Sequence, residues 1–176
     1  MLVELSFDNI LDVNKANEEF TIFVKIIPEF IGGNWAFMEE LFEEPYEYKY
    51  PIDNEDYSEY INSNDKKIFL FYEKNNCVGQ IILKKYWNKN TYIQDICVAK
   101  NCRNKGIGYK LMDKAVEWTK MNGLKGIMLE TQDVNIIACK FYKKYGFILG
   151  GVDTMLYSNF KNADQKALFW YYKIKE

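Results

Sequence analysis

The chain has 176 residues, 48% hydrophobic and 17% aromatic, which excludes a disordered segment and suits one globular domain with a sizeable core. Its net charge is only −2 and it has no histidine, so serine–histidine and cysteine–histidine nucleophile systems are excluded and acid–base work falls to Asp, Glu, Tyr, Lys or Cys. Four cysteines without a C-x-x-C pair argue against a zinc site; with no apolar run of membrane-spanning length and no secretion signal, the expected location is cytoplasmic and the cysteines reduced.

Residues 2–7 alternate and predict a first strand, followed by a short helix over 9–16. Residues 20–27 are apolar and β-branched and predict an extended segment that Pro28 stops. Gly32-Gly33 marks a turn, Asn34 is a plausible N-cap for a helix through about Glu43, and Pro45 ends it. Residues 46–60 are aromatic and acidic and predict a loop with a short helix near Tyr57. Strands are predicted over 68–72, 77–86 and 91–99, joined by turns at Asn75-Asn76 and over 87–90. Ile107, Leu111, Ala115 and Trp118 fall on one face of a helix that Gly123 terminates. A short strand over 126–132 precedes a helix whose apolar face is Ile137, Phe141 and Tyr145, ended by Gly146. Strands over 147–157 and 167–174 close the chain. The last of these suits either an internal sheet or a pairing across a homodimer, so a monomer and a homodimer are both open. The order β-β-β-α-β-α-β-β, with helices early, predicts an α+β domain built on a mixed sheet.

Charge is segregated along the chain. Residues 39–65 hold ten acids and one lysine, a balance of −9, while residues 66–125 hold thirteen Lys/Arg and four acids, a balance of +9. A basic half suits an anionic cofactor, and an acidic half favours a cationic acceptor. The lysines are scattered and no nucleic-acid motif accompanies them, so no nucleic-acid partner is expected, and none in a membrane.

The stretch DICVAKNCRNKGIG, from Asp95 to Gly108, is the most informative. An apolar strand turns through polar residues into Gly106-Ile107-Gly108, which opens an amphipathic helix. Glycines let the backbone approach a ligand, and unpaired N–H groups at a helix start attract negative charge. Arg103 and Lys105 add cations beside those amides, so the ligand type is a phosphate or pyrophosphate. Neither the dinucleotide fingerprint nor the nucleotide-hydrolase phosphate loop fits, since the third glycine and the G-K-[ST] ending are missing.

A second cluster, N-x-x-A-x-x-F-Y-x-K-x-G-F over 135–147, joins R-x-x-G-x-G over 103–108. Together they resemble the GNAT superfamily of acetyl-coenzyme A-dependent N-acetyltransferases. Asn34-Trp35, Pro45-Tyr46, Leu129-Glu130-Thr131-Gln132-Asp133, the run from Gly151 to Tyr157 and Phe169-Trp170-Tyr171 are similar to the streptothricin (nourseothricin) acetyltransferase branch. The resemblance implies a GNAT fold over 1–176 as a single domain, with an acceptor-shaping part over about 1–65 and a cofactor core over about 66–150. Two parallel strands, 91–99 and 126–132, are then expected to splay around the pantetheine arm of acetyl-CoA. The implied activity is transfer of an acetyl group to an amine on the β-lysine arm of streptothricin, giving antibiotic resistance. A polyamine or other small amine is the alternative acceptor, and an acyl-CoA-binding sensor is the non-enzymatic alternative.

The resemblance also implies roles. Arg103, Asn104, Lys105, Gly106, Ile107 and Gly108 hold pyrophosphate; Ile96, Cys97 and Val98 pair their backbones with pantetheine; Asn135 holds the same arm and Lys144 reaches phosphate. A backbone N–H near Cys97 or Val98 faces the thioester oxygen, a donor type that contributes about 2.7–4 kcal/mol. Tyr142 matches the general acid and is also expected among the cofactor contacts. Asp95 lies in YIQDICV, similar to YxEDIxV, where this chain has Gln94 in place of the frequent Glu. That departure moves the expected amine-receiving carboxylates to Asp95 and Glu130, with Asp153, Tyr157, Trp35 and Tyr46 as further acceptor contacts.

Overall fold

The computed structural model describes residues 1–174. They form two compact units, one comprising residues 1–20, 49–127 and Ile174, the other residues 21–48 and 128–173.

The first unit is built on β1 (Leu2–Glu4), β4 (Lys66–Glu73), β5 (Asn76–Lys85) and β6 (Asn90–Val98), antiparallel neighbours in that order. The hairpin between β4 and β5 turns through Lys74 and Asn75, both at positive φ (47° and 65°), the pair of conformations that matches strand twist in a two-residue turn. β4 and β5 are buried on both faces, which explains why Ile68–Phe71 and Ile81–Leu83 read as continuous apolar runs rather than alternating ones. The helix α1 (Ile107–Met121) covers one face with Ile107, Leu111, Met112, Ala115 and Trp118. On the other, Leu5 and Tyr60 pack with Ile68, Leu70 and Ile82. Each fully buried aliphatic side chain contributes about 1.5–3 kcal/mol. The helix expected over 9–16 is only a 3₁₀ turn, Ile10–Asp12, followed by Asn14 at φ +68°; a second 3₁₀ turn, Tyr57–Tyr60, stands where the short helix was expected.

The second unit contains the hairpin β2 (Phe20–Ile31) and β3 (Asn34–Tyr48), the strand neighbours β7 (Gly126–Gln132, from Met128 onward), β9 (Ala167–Lys173) and β8 (Ile148–Asp153), and the helix α2 (Ile136–Tyr145). Pairing of β8 with β9 is antiparallel and internal to the chain. Several expectations fail here. The segment from Asn34 is not a helix but a 15-residue strand, and β2 runs through Pro28 to Ile31. Gly32 and Gly33 sit at φ +58° and +82°, a tight turn that folds β3 back on β2. Asn34 donates its side-chain amide to the Gly32 carbonyl instead of capping a helix. Trp35 and Phe37 then alternate inward, and Phe37 meets Trp170 edge-on at 6.5 Å. Pro28 lies two residues after Ile26, whose N–H points to the Asp133 carbonyl (2.8 Å), so on the same alternation its missing N–H falls on that edge of β2.

The buried face of α2 is Ile136, Cys139 and Tyr142, and Ile137 is 51% exposed. Asn135 caps the helix through a bond from Ala138 N (3.1 Å), and the buried Val134 before it sets the phase. Phe141 and Tyr145 stay half-buried through ring packing. Finally, the strand expected over 147–157 ends at Asp153, whose carboxylate accepts from the N–H groups of Met155 and Leu156 (2.7 and 3.0 Å) and turns the chain. Tyr157 therefore lies in a turn rather than on a strand.

Candidate active site

In the first unit the predicted anion-binding stretch is continuous. β6 ends at Val98, a 3₁₀ turn follows at Lys100–Cys102, and α1 starts after Gly106. Gly106 is the N-cap at φ +81°, and a side chain built there would meet nothing within 4 Å. A left-handed cap opening onto free space, with first-turn amides aimed outward, fits a phosphate group. Lys105 is exposed beside it. Arg103 is turned back: its Nε donates to Val98 O at 2.9 Å and its Nη2 to Glu18 O at 3.4 Å, so it braces the end of β6. Its charge stays near the loop, but its guanidinium geometry is set by the protein.

β6 carries an irregularity where Asp95 pairs with Ile82 and Ile93 with Leu83, leaving Gln94 without a partner across the ladder. Such bulges re-aim side chains. Gln94 donates to Glu55 Oε2 (3.0 Å) and accepts from Tyr60 Oη (3.2 Å); Glu55 also takes bonds from Tyr60 Oη and Lys84 Nζ (2.8 Å each). Burial opposes ionisation of Glu55, but the Lys84, Tyr60 and Gln94 hydrogen bonds outweigh it and hold the carboxyl below its ordinary value. The carboxylate missing from position 94 is thus present in space as Glu55, a residue with no motif to announce it.

Asp95 accepts from Gln80 Nε2 at 2.6 Å. Burial pushes its carboxyl up, against hydrogen bonds from Gln80 and Cys97, and the nearby Asp53 pushes the same way as burial. Burial also drives the Cys97 thiol well above its usual value, with Asp95 adding to the effect. A buried thiol whose ionisation is opposed in this way is a poor nucleophile. Ile96 and Val98 are half-buried.

In the second unit Glu130, on β7, accepts a hydrogen bond from the Tyr157 hydroxyl. Burial raises the Glu130 carboxyl and the Tyr157 bond opposes it. Two residues chosen separately as acceptor contacts are therefore partners. Asn135 spends its Oδ1 on the α2 cap. Tyr142 is 6% exposed, with the rings of Phe141, Phe147 and Trp170 at 5.6, 5.8 and 6.3 Å. Lys144 is exposed in the last turn of α2. Asp153 is engaged by its own turn, Trp35 packs on Phe30 at the hairpin tip (5.1 Å), and Tyr46 packs on Phe42 (5.9 Å). Asp133, which the sequence marks only as the end of the run 129–133 and gives no role, is fully buried with Lys25 Nζ 3.9 Å away. Among the described residues no group of side chains suited to a metal ion occurs, and no helix is long and apolar enough to cross a membrane.

Comparison with known proteins places the chain in a family and matches its fold. The Acetyltransferase (GNAT) family model matches residues 35–147. Streptothricin acetyltransferase A of Bacillus subtilis (strain 168) is 49% identical over 173 residues, covering 98% of this chain and 99% of that protein. A crystal structure of a Bacillus anthracis str. Ames protein described as a streptothricin acetyltransferase, in complex with acetyl coenzyme A, superposes with a TM-score of 0.92 at 33% identity over 99% of both chains. Nourseothricin acetyltransferase shares the fold, with a TM-score of 0.83 at 22% identity over 99% of this chain and 98% of that one. The α+β fold is that of the GNAT acyltransferases, and the chain belongs to the GNAT family of acetyltransferases.

Proposed function

We propose that this enzyme transfers the acetyl group of acetyl-CoA to an amine on the β-lysine arm of streptothricin, in the cytoplasm, and so confers resistance to the antibiotic. The observation that carries the reading is 49% identity, over almost the whole chain, to the B. subtilis streptothricin acetyltransferase. The chain acts as one catalytic domain.

Acetyl-CoA supplies the activated thioester; the chain's own residues bind, align and move protons. The amides and cations of 103–108 hold the pyrophosphate, with Lys144 as a further phosphate contact. The backbone of Ile96, Cys97 and Val98 pairs with the pantetheine arm, and a backbone N–H at Cys97 or Val98 stabilises the developing oxyanion, worth about 2.7–4 kcal/mol. Asn135 steadies the same arm. A carboxylate, Asp95 or Glu130, receives the ammonium group and takes the one proton it must lose, because only the neutral amine attacks. The raised pKa directions of both carboxyls suit a group that must accept a proton near neutral pH. Tyr142 returns a proton to the departing thiolate. Tyr157, Asp153, Trp35 and Tyr46 shape the acceptor side. Alignment of two bound reactants contributes several kcal/mol by itself, of the order of 7–11 at the upper end.

Initial rates of thiol release with acetyl-CoA and streptothricin test the reading. Turnover well above the rate without acceptor supports it. Turnover with spermidine but none with streptothricin replaces it by the small-amine alternative.

A further inference from the structure

Gln80 sits in the middle of β5 with none of its surface exposed. Its orientation is fixed by what its neighbours are able to offer. The backbone N–H of Asn14 can only donate, and it reaches Gln80 Oε1 at 2.6 Å. That bond settles which end of the amide faces which way. Nε2 must then face Asp95, and it donates to Asp95 Oδ2 at 2.6 Å and to Asn14 Oδ1 at 3.0 Å. A donor aimed at Oδ2 favours the ionised carboxylate, which accepts that bond more strongly than the neutral acid does. Asn14 is itself held, at φ +68° and with its side-chain amide donating to the Tyr57 hydroxyl at 2.8 Å.

We infer that Gln80 is a positioning residue for acetyl transfer: braced by Asn14, it fixes the orientation of Asp95 and holds that carboxyl in its proton-accepting form. The inference rests on the proposed role of Asp95. The groups acting on Asp95 are Gln80 from β5, Cys97 and the Ile96 backbone from β6, and Asp53 from the segment before the Tyr57–Tyr60 turn; Tyr57 faces Asn14, and Cys77 and Arg103 act on Cys97. Burial and Asp53 favour the protonated carboxyl, and Gln80 is the first of the hydrogen bonds opposing them. Taking its donor away leaves burial and Asp53 less opposed, so protonation of Asp95 moves to higher pH.

The test is the pH profile of kcat/KM for streptothricin in wild type, Gln80→Met, Gln80→Glu and Asp95→Asn, with thermal melts of each. Met fills the space without a donor, and the acid limb should rise by about one pH unit. Gln80→Glu keeps an acceptor for the Asn14 N–H but turns a carboxyl on Asp95, and should move the limb further. KM for acetyl-CoA should stay at the wild-type value in both. An acid limb unmoved in both Gln80 variants, with only a lower melting temperature, overturns the inference and leaves Gln80 a packing residue. Asp95→Asn separates the two levels. If it is slow and lacks the acid limb while the Gln80 limbs stay put, Gln80 alone is refuted; if it keeps the wild-type rate and profile, the role of Asp95 falls and this inference with it.

Discussion

Replacing Gly106 by alanine isolates the contribution of the helix start. Gly106 lies at φ +81°, ψ 2°, as the N-cap of α1. A left-handed conformation costs a residue with a Cβ about 1–2 kcal/mol. The added methyl would meet no atom within 4 Å, so no steric term joins that cost. At roughly 2–4 °C per kcal/mol for a domain of this size, the melting temperature should fall by about 2–8 °C. If the turn relaxes to avoid the strain, the first-turn amides lose their aim. Loss of one hydrogen bond to a charged group, about 1.5–3 kcal/mol, raises KM for acetyl-CoA by roughly ten- to a hundredfold. KM for streptothricin should not move. Gly106→Asn provides the control, because asparagine tolerates the left-handed region. Its melting temperature should recover most of the loss, while its side chain, standing in the free space before the amides, keeps KM for acetyl-CoA high. Steady-state kinetics with each substrate varied in turn, beside thermal melts, measure all three quantities in each variant. A lower melting temperature with KM for acetyl-CoA unchanged in both variants would refute the assignment of this turn to the cofactor.

Tyr142→Phe keeps the ring packing against Phe147 and Trp170 and should melt near the wild-type temperature, but lose about 10²–10⁴-fold in kcat with acetyl-CoA binding preserved; an unchanged kcat at every pH removes the general-acid role. Tyr157→Phe deletes the donor that opposes burial at Glu130, so protonation of Glu130 moves to higher pH; the acid limb of kcat/KM for the amine rises if Glu130 sets it in place of Asp95, and a limb at its wild-type position excludes Glu130 as the titrating group. Ile136→Ala should cost about 2–5 kcal/mol of stability and Ile137→Ala under about 0.5, since only the first is buried; denaturant titrations giving equal losses would contradict the phase of α2. Glu55 titrates below its ordinary value, so its ionised form stabilises the fold above the unfolded-state pKa, and that contribution is lost as pH falls through the folded one. Glu55→Gln should therefore melt lower than wild type at neutral pH and lose less on acidification; parallel melting curves from pH 7 to pH 3.5 would show that the Lys84–Tyr60–Gln94 cluster contributes nothing.

Local patterning made the central elements legible. The step pattern of Ile107, Leu111, Ala115 and Trp118 located α1 because the helix lies on a sheet and buries one stripe. Asn75 marked the β4–β5 turn because its residue type tolerates positive φ. The glycine-opened helix start was visible because its chemistry resides in the backbone and in a short contiguous motif. What escaped notice depends on partners distant in sequence. β3 reads locally as a capped, acidic helix, and only its return on β2 through Gly32-Gly33 and the seat of Phe37 against Trp170 make it a strand. The α2 face was misphased because 136/139/142 and 137/141/145 are both apolar, and the buried Val134 and the Asn135 cap choose between them. Glu55 reaches Gln94 across 39 positions and Gln80 reaches Asn14 across 66, separations at which no motif forms. One signal for Gln80 was present: a lone amide inside the apolar run Cys77–Leu83 demands a polar partner.

Mass spectrometry of streptothricin after incubation with the enzyme and acetyl-CoA bears most directly on the whole account. The antibiotic should gain the mass of one acetyl group, located by fragmentation on the β-lysine arm, with one free thiol released per product. Streptothricin recovered unmodified under conditions where the enzyme is folded and saturated with acetyl-CoA would contradict it.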